Sequence, residues 1–124
     1  MKNCYCNSNK IFSECCEPYI LLTQKAPTAE SLMRSRYSAY CVQNVDYILA
    51  TTHPSTRKFH NKKEILAFAS QNTWIKLEII NASETTIEFK ALYIDNNLKS
   101  QMHHEKSTFK KEEESWFYVD GEWF

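Results

Sequence analysis

Ile75-Lys76-Leu77-Glu78-Ile79 alternates apolar and charged side chains. A period of two puts Ile75, Leu77 and Ile79 on one face of a strand and Lys76 and Glu78 on the other. Asn81-Ala82-Ser83-Glu84 reads as a turn, and the alternation then resumes. Ile87, Phe89, Ala91 and Tyr93 form the apolar face, with Glu88 and Lys90 opposite. Asp95-Asn96-Asn97 is a second turn, and a long strand follows from Leu98 to about Lys110. The charged tip Lys110 to Glu114 leads into Trp116 to Val119, and Asp120-Gly121 reads as a tight turn.

Before Ile75 the period is helical. Asn61-Lys62-Lys63-Glu64 resembles a capping box and predicts a helix to about Gln71, with Ile65, Phe68 and Ala69 inward. A shorter helix is predicted over roughly 45–52, with Val45, Ile48 and Leu49 inward. His53-Pro54 ends it, because a residue before proline avoids the α region. Thr28 is a suitable N-cap for an earlier helix, and Glu30 is favourable in its first turn. Ala29, Met33, Tyr37 and Tyr40 recur there at helical spacing. Arg36 falls inside that apolar stripe, about 60° from Met33, and Arg34 on its flank. Residues 17–27 read as a connector, broken by Glu17-Pro18. Helices followed by an antiparallel meander give an α+β chain.

With 124 residues there is material for one cored domain, not two independent ones. Hydrophobic residues at 43% argue against disorder. Fifteen basic and fifteen acidic side chains cancel, so no global charge draws the chain to nucleic acid or anionic lipid. No apolar run approaches the roughly 20 residues of a membrane helix. The start Met1-Lys2-Asn3-Cys4 lacks a secretory apolar stretch, which implies a cytoplasmic, reducing setting.

Four of the five cysteines, Cys4, Cys6, Cys15 and Cys16, sit within the first sixteen residues. Adjacent Cys15 and Cys16 pair poorly with each other, so a tetrathiolate metal site is the better reading than disulfides. Two close pairs joined by a short loop can wrap one ion, and four soft ligands suit zinc in a structural role. Iron–sulfur clusters use other spacings. Metal binding would supply folding energy to a segment whose only core side chains are Tyr5, Ile11 and Phe12. Cys41, on the predicted helix near Tyr37 and Tyr40, reads as a small buried hydrophobe.

Cys4-Tyr5-Cys6-Asn7-Ser8-Asn9-Lys10-Ile11-Phe12-Ser13-Glu14-Cys15-Cys16 resembles the SEC-C zinc motif, C-P-C-G-S-G-K-x-Y-x-x-C-C. The four cysteines, Ser8 and Lys10 match. Asn7 and Asn9 stand in place of glycine, and asparagine is the non-glycine residue that best tolerates positive φ. The stretches Pro27 to Tyr40, Asp46 to Arg57, His104 to Phe109 and Trp116 to Gly121 resemble the YchJ-like proteins. The resemblance implies a SEC-C knuckle and connector over 1–24. It implies a cystatin-like cone, similar to nuclear transport factor 2, over 25–124, with N-terminal helices packed on a curved antiparallel sheet. The helix-then-meander order fits this cone independently. Many family members carry a second, C-terminal SEC-C motif, and this chain reaches Phe124 without one.

The chain has twelve lysines but only three arginines, Arg34, Arg36 and Arg57, all between residues 34 and 57. Such usage suits positions that need a planar, forked donor. Arg36 on an apolar face needs a partner. Either it closes an ion pair with Glu105 or Glu64, or it offers an anion site in a pocket of the cone. His53, at a helix-ending turn, reads as a turn-stabilising or pocket-lining residue, or as a proton shuttle. His103 and His104 are strand neighbours and point to opposite faces, whereas Glu105, Ser107 and Phe109 share one. His60 reads as a surface residue. Candidate pocket residues are thus Arg34, Arg36, Tyr37, His53, Arg57, His104 and Glu105. No catalytic motif is present.

Two functions compete. One is a cytosolic zinc-binding adaptor whose knuckle meets a protein or ribosome-associated partner. Such a role is implied by the related SEC-C tails of the secretion motor SecA. The other is a small-molecule binder or enzyme using Arg36, Tyr37 and His53 in the cone. Nucleic-acid binding is opposed by the neutral charge.

Overall fold

The computed structural model describes residues 2–124. A 3-10 turn at Phe12–Glu14 is followed by α1 (Glu17–Ile20), α2 (Ala29–Cys41), α3 (Val45–Ala50), α4 (Pro54–Arg57) and α5 (Lys62–Gln71). Four strands complete the chain: β1 (Thr73–Ala82), β2 (Thr86–Ile94), β3 (Ser100–Glu112) and β4 (Ser115–Trp123). They form one antiparallel meander in the order β1-β2-β3-β4. No helix among the described residues is long and apolar enough to cross a membrane.

The helix caps follow from sequence. Thr28 accepts from the Ser31 amide, and the Ser31 side chain closes a capping box. Asn61 accepts from the Lys63 and Glu64 amides at the start of α5. Two prolines read as breakers instead open short helices: Pro18 lies in the first turn of α1, and Pro54 in that of α4. The missing N–H costs nothing there, because first-turn amides have no intrahelical partner.

Helix α2 sits at the centre. It touches α1, α3 and α5 as well as β1, β2 and β4. The predicted stripe of Ala29, Met33 and Tyr37 is buried, and so are Leu32, Ser35, Ser38 and Ala39 on its other sides. Ser35 donates to the Leu32 carbonyl at 2.8 Å and pairs with the Tyr47 hydroxyl at 2.7 Å. Small polar side chains that satisfy themselves this way fill a helix face without adding to its apolar period.

Three bulges bend the sheet. In β1, Trp74 pairs with Tyr93 and Lys76 with Leu92, so Ile75 is extra. The expected inward face therefore changes: Trp74 and Leu77 point in, and Ile75 is 53% exposed. Ile80 is bulged in the same way. In β4, Val119 is the extra residue, between Tyr118 opposite Phe109 and Asp120 opposite Thr108.

Asp120-Gly121 is not a turn. Both residues lie within β4, and Gly121 pairs with Ser107. The chain's one glycine is there for space: a Cβ on Gly121 would stand 2.1 Å from Glu105 Oε2. The β3–β4 reversal falls within the expected charged tip, at Glu113 and Glu114, both with positive φ.

Each outer strand of the sheet is contacted at one point by a preceding segment of the chain. On β1 the Leu77 amide donates to Asn7 Oδ1 at 2.8 Å. On β4 the Tyr118 amide donates to the Thr51 carbonyl, and the His53 amide donates to the Tyr118 carbonyl, each at 2.8 Å.

Candidate functional site

The cysteine-bearing loop is built by local hydrogen bonds. The Cys4 amide donates to the Lys10 carbonyl at 2.8 Å, and the Phe12 amide to the Lys2 carbonyl at 2.9 Å. Asn7 and Asn9 take φ of 63° and 68°, the conformation glycine would adopt freely. Tyr5 packs edge-on against Phe12, with the Lys2 ammonium over its ring.

These turns bring the sulfurs of Cys4, Cys6, Cys15 and Cys16 to within 4.8 Å of one another. Cys6 and Cys15 are 3.7 Å apart, and Cys15 and Cys16 3.9 Å. Cys4, Cys6 and Cys16 are buried, and Cys15 faces partly outward, with Ser8 Oγ 3.2 Å from its sulfur. Hydrogens shared by Cys16 and Cys4 drive the Cys6 thiol far down, and donating to Cys4 and Cys6 drives Cys16 far up. Burial also pushes Cys15 up. Four sulfurs this close ionise together only around a cation. The cluster is a metal-binding geometry.

The cluster is joined to the rest of the chain by three polar contacts. Ser38 Oγ of α2 lies 3.6 Å from Cys4 Sγ. Arg34 donates to the Cys6 carbonyl at 2.7 Å while its Nε pairs with Glu30 at 3.0 Å. Asn7 reaches the β1 edge. Cys4, Cys6 and Cys16 belong to the same continuous core as Leu32, Ile48 and Ile87.

On the far side of α2 a pocket of about 440 Å³ opens between helices and sheet. Arg36 from α2, Glu105 from β3 and Tyr118 from β4 form its polar wall. Phe68, Trp74 and Tyr93 form an aromatic wall in mutual edge-on or tilted contact. Phe68, expected inward, is 41% exposed because its ring forms part of this open wall.

Glu105 is fully engaged. Oε1 accepts from His103 Nε2 at 2.7 Å, and Oε2 accepts from Ser107 at 2.5 Å and Tyr118 at 3.0 Å. Burial alone would raise its carboxyl, but the His103, Ser107 and Tyr118 contacts hold it below the usual range. Burial, reinforced by the Glu105 charge, pushes the Tyr118 phenol up, so it stays a donor.

Arg36 makes no ion pair with Glu105 or Glu64. Its Nη1 donates to the Ile48 carbonyl at 2.8 Å and reaches Thr51 Oγ1 at 2.8 Å and Thr52 Oγ1 at 3.3 Å. Its guanidinium lies 4.6 Å from the centre of the Tyr118 ring. Burial lowers its pKa, although an arginine keeps its charge.

The other candidates are distributed around the fold. Tyr37 lines the pocket beside Trp74. Arg34 belongs to the cysteine cluster. Arg57 donates to the Thr52 and Ala50 carbonyls at 3.1 and 3.3 Å. His53 caps α4: its Nδ1 accepts from the Ser55 amide at 3.1 Å, which leaves Nε2–H to donate to Glu112 at 2.8 Å. His104 faces away from the pocket and pairs with Glu88 at 2.8 Å. His103, its neighbour, lines the pocket. His60, read as plain surface, sits at the pocket mouth against Tyr118, its pKa lowered by burial and by Arg36. Cys41 is pushed up to about 12, chiefly by burial, and is no thiolate. Sequence reasoning missed Tyr118 and Gly121 as site residues. The alternation through Glu105 and Ser107 was the signal for the pocket's β3 wall.

Comparison with known proteins agrees with this architecture. The family model described as "YchJ, middle NTF2-like domain" matches residues 28–121. UPF0225 proteins of Vibrio cholerae and Serratia proteamaculans are 36% and 38% identical, over 97% and 95% of this chain and 82% and 81% of theirs. A solution structure of a SEC-C motif containing protein from Rhodopseudomonas palustris superposes with a TM-score of 0.89 at 34% identity, covering 98% of both chains. A crystal structure of a SEC-C motif containing protein from Psychrobacter arcticus gives 0.78 at 33% identity, covering 94% of this chain and 78% of that one. The chain therefore belongs to the UPF0225 family, with a YchJ-type, nuclear-transport-factor-2-like domain whose central helix carries an N-terminal SEC-C-like cysteine cluster.

Proposed function

We propose that the chain is a zinc-stapled small-ligand-binding protein. A tetrahedron with metal–sulfur bonds of about 2.3 Å has edges of about 3.8 Å. The 3.7 and 3.9 Å sulfur separations fit that figure. Cys4, Cys6, Cys15 and Cys16 would hold the ion, and four thiolates leave no open position for a catalytic water. The metal's role is then structural. It fixes the knuckle against α2, and α2 in turn places Arg36 and Tyr37 in the pocket.

The observation that carries the ligand-binding reading is the pocket itself. A 440 Å³ space walled by Phe68, Trp74 and Tyr93 is within the size range of small-molecule sites. We propose binding rather than catalysis, because both oxygens of Glu105 are already engaged. Amide-shift mapping with a fragment library tests this. Shifts clustering on Phe68, Trp74 and Tyr93 support it; fragments that leave these residues unmoved contradict it.

The adaptor reading has an observation of its own. Leu21 and Leu22, which follow Cys16 and the short helix α1, are 63% and 71% exposed side by side. We propose this pair as the contact if the knuckle serves a ribosome-associated partner. Co-sedimentation with ribosomes that is lost in a Leu21→Ser/Leu22→Ser variant supports that role; sedimentation unchanged by the substitutions, or none at all, removes it.

A further inference from the structure

A guanidinium carries five N–H groups, and Nη1 of Arg36 supplies only two of them to Ile48, Thr51 and Thr52. The three on Nε and Nη2 have no acceptor among the described residues. Arg36 is 8% exposed, yet no fully buried side-chain nitrogen among the described residues lacks a partner. Nε and Nη2 therefore each keep some accessible surface, and Arg36 is among the residues that line the pocket. A buried cation left with unused donors is costly unless something accepts from them.

We propose that Arg36 is the recognition residue for a carboxylate, and that the pocket takes small monocarboxylic acids with a flat apolar body. This rests on the ligand-binding reading above and names its ligand class. The free Nε and Nη2 edge is the fork that matches a carboxylate in a two-point contact. The body of the acid would lie against Phe68, Trp74 and Tyr93, whose rings are held at fixed tilts to one another. Glu105 faces the same pocket and is no rival for the arginine. His103, Ser107 and Tyr118 already occupy its oxygens, and the Tyr118 ring lies beneath the guanidinium. The three tyrosines near Arg36 stay neutral, because burial pushes Tyr40, Tyr47 and Tyr118 up. His60 stands at the mouth, where its exposed ring can be changed without touching the anchor of Arg36.

The test uses the whole zinc-loaded chain and a panel of aromatic and branched aliphatic monocarboxylates, benzoate among them, each paired with its primary amide. Binding is read by amide shifts and by the fluorescence of Trp74 and Trp123, which both line the pocket. At least one acid is expected to bind about tenfold or more tighter than its amide. Arg36→Lys keeps the charge but loses the fork, and should erase most of that preference. Should Arg36→Lys fail to fold, His60→Glu provides the second reading: a negative charge at the mouth should weaken the acids several-fold more than their amides. Acids and amides binding equally would overturn the carboxylate proposal and leave the pocket reading standing. A panel in which nothing shifts the pocket residues would overturn both.

Discussion

Gly121 shows what one side chain can decide. A methyl group there would meet Glu105 Oε2 at 2.1 Å, and Glu105 can give way only by disturbing its bonds to His103, Ser107 and Tyr118. Gly121→Ala should therefore destabilise the fold by about 1–3 kcal/mol, measured by urea unfolding, and should also disturb the pocket resonances. Glu105 makes its own prediction. Its folded carboxyl lies below the ordinary 4.5, so its contribution to stability is complete above that value and is lost as pH falls through the lower folded value. A stability profile from pH 6 to pH 2.5 should fall in that window, and Glu105→Gln should flatten the fall at the cost of lower stability at neutral pH. The sequence showed that Glu105, Ser107 and Phe109 share a face, because strand alternation is local. It misread Gly121 as a turn residue, because Asp-Gly is a strong local turn signal and the demand for space comes from Glu105, across the sheet on β3. Arg36 could be placed on the apolar stripe, but its acceptors on α3 and the corner after it could not be chosen from spacing alone.

At the level of elements, the β3–β4 turn carries strain that its residues do not suit. Glu113 and Glu114 take φ of 49° and 69°, where a two-residue hairpin favours Asn-Gly. Glu113→Asn/Glu114→Gly should stabilise the protein by about 1 kcal/mol, seen as a higher urea midpoint with an unchanged slope. Helix positions were legible because Thr28 and Asn61 cap where the apolar period begins. The inward face of β1 was not. Ile75 and Ile80 are bulge residues, and a bulge shifts the period without changing composition. The second buried side of α2 was also hidden, since it is lined by Ser35 and Ser38 rather than by large apolar residues.

Across the whole molecule, the cysteine cluster and the cone share one core through α2. Cys4 contacts Ser38, Arg34 holds the Cys6 carbonyl, and Asn7 covers the Leu77 amide. Removing the metal should therefore loosen more than the knuckle. With a chelator under reducing conditions, amide exchange should quicken at Leu77 and along α2 as well as in residues 4–16; exchange confined to the knuckle would show that the two parts are uncoupled. The four cysteines were legible because their spacing is compact in sequence, whereas the contacts that seat their loop come from residues 28 to 70 positions away. The most direct test of the account is X-ray absorption at the zinc edge on protein purified from zinc-replete, reducing conditions. One zinc per chain with four sulfur neighbours at about 2.3 Å is the expected result. Nitrogen or oxygen ligands in the shell, or zinc absent and the cysteines joined in disulfides, would contradict it.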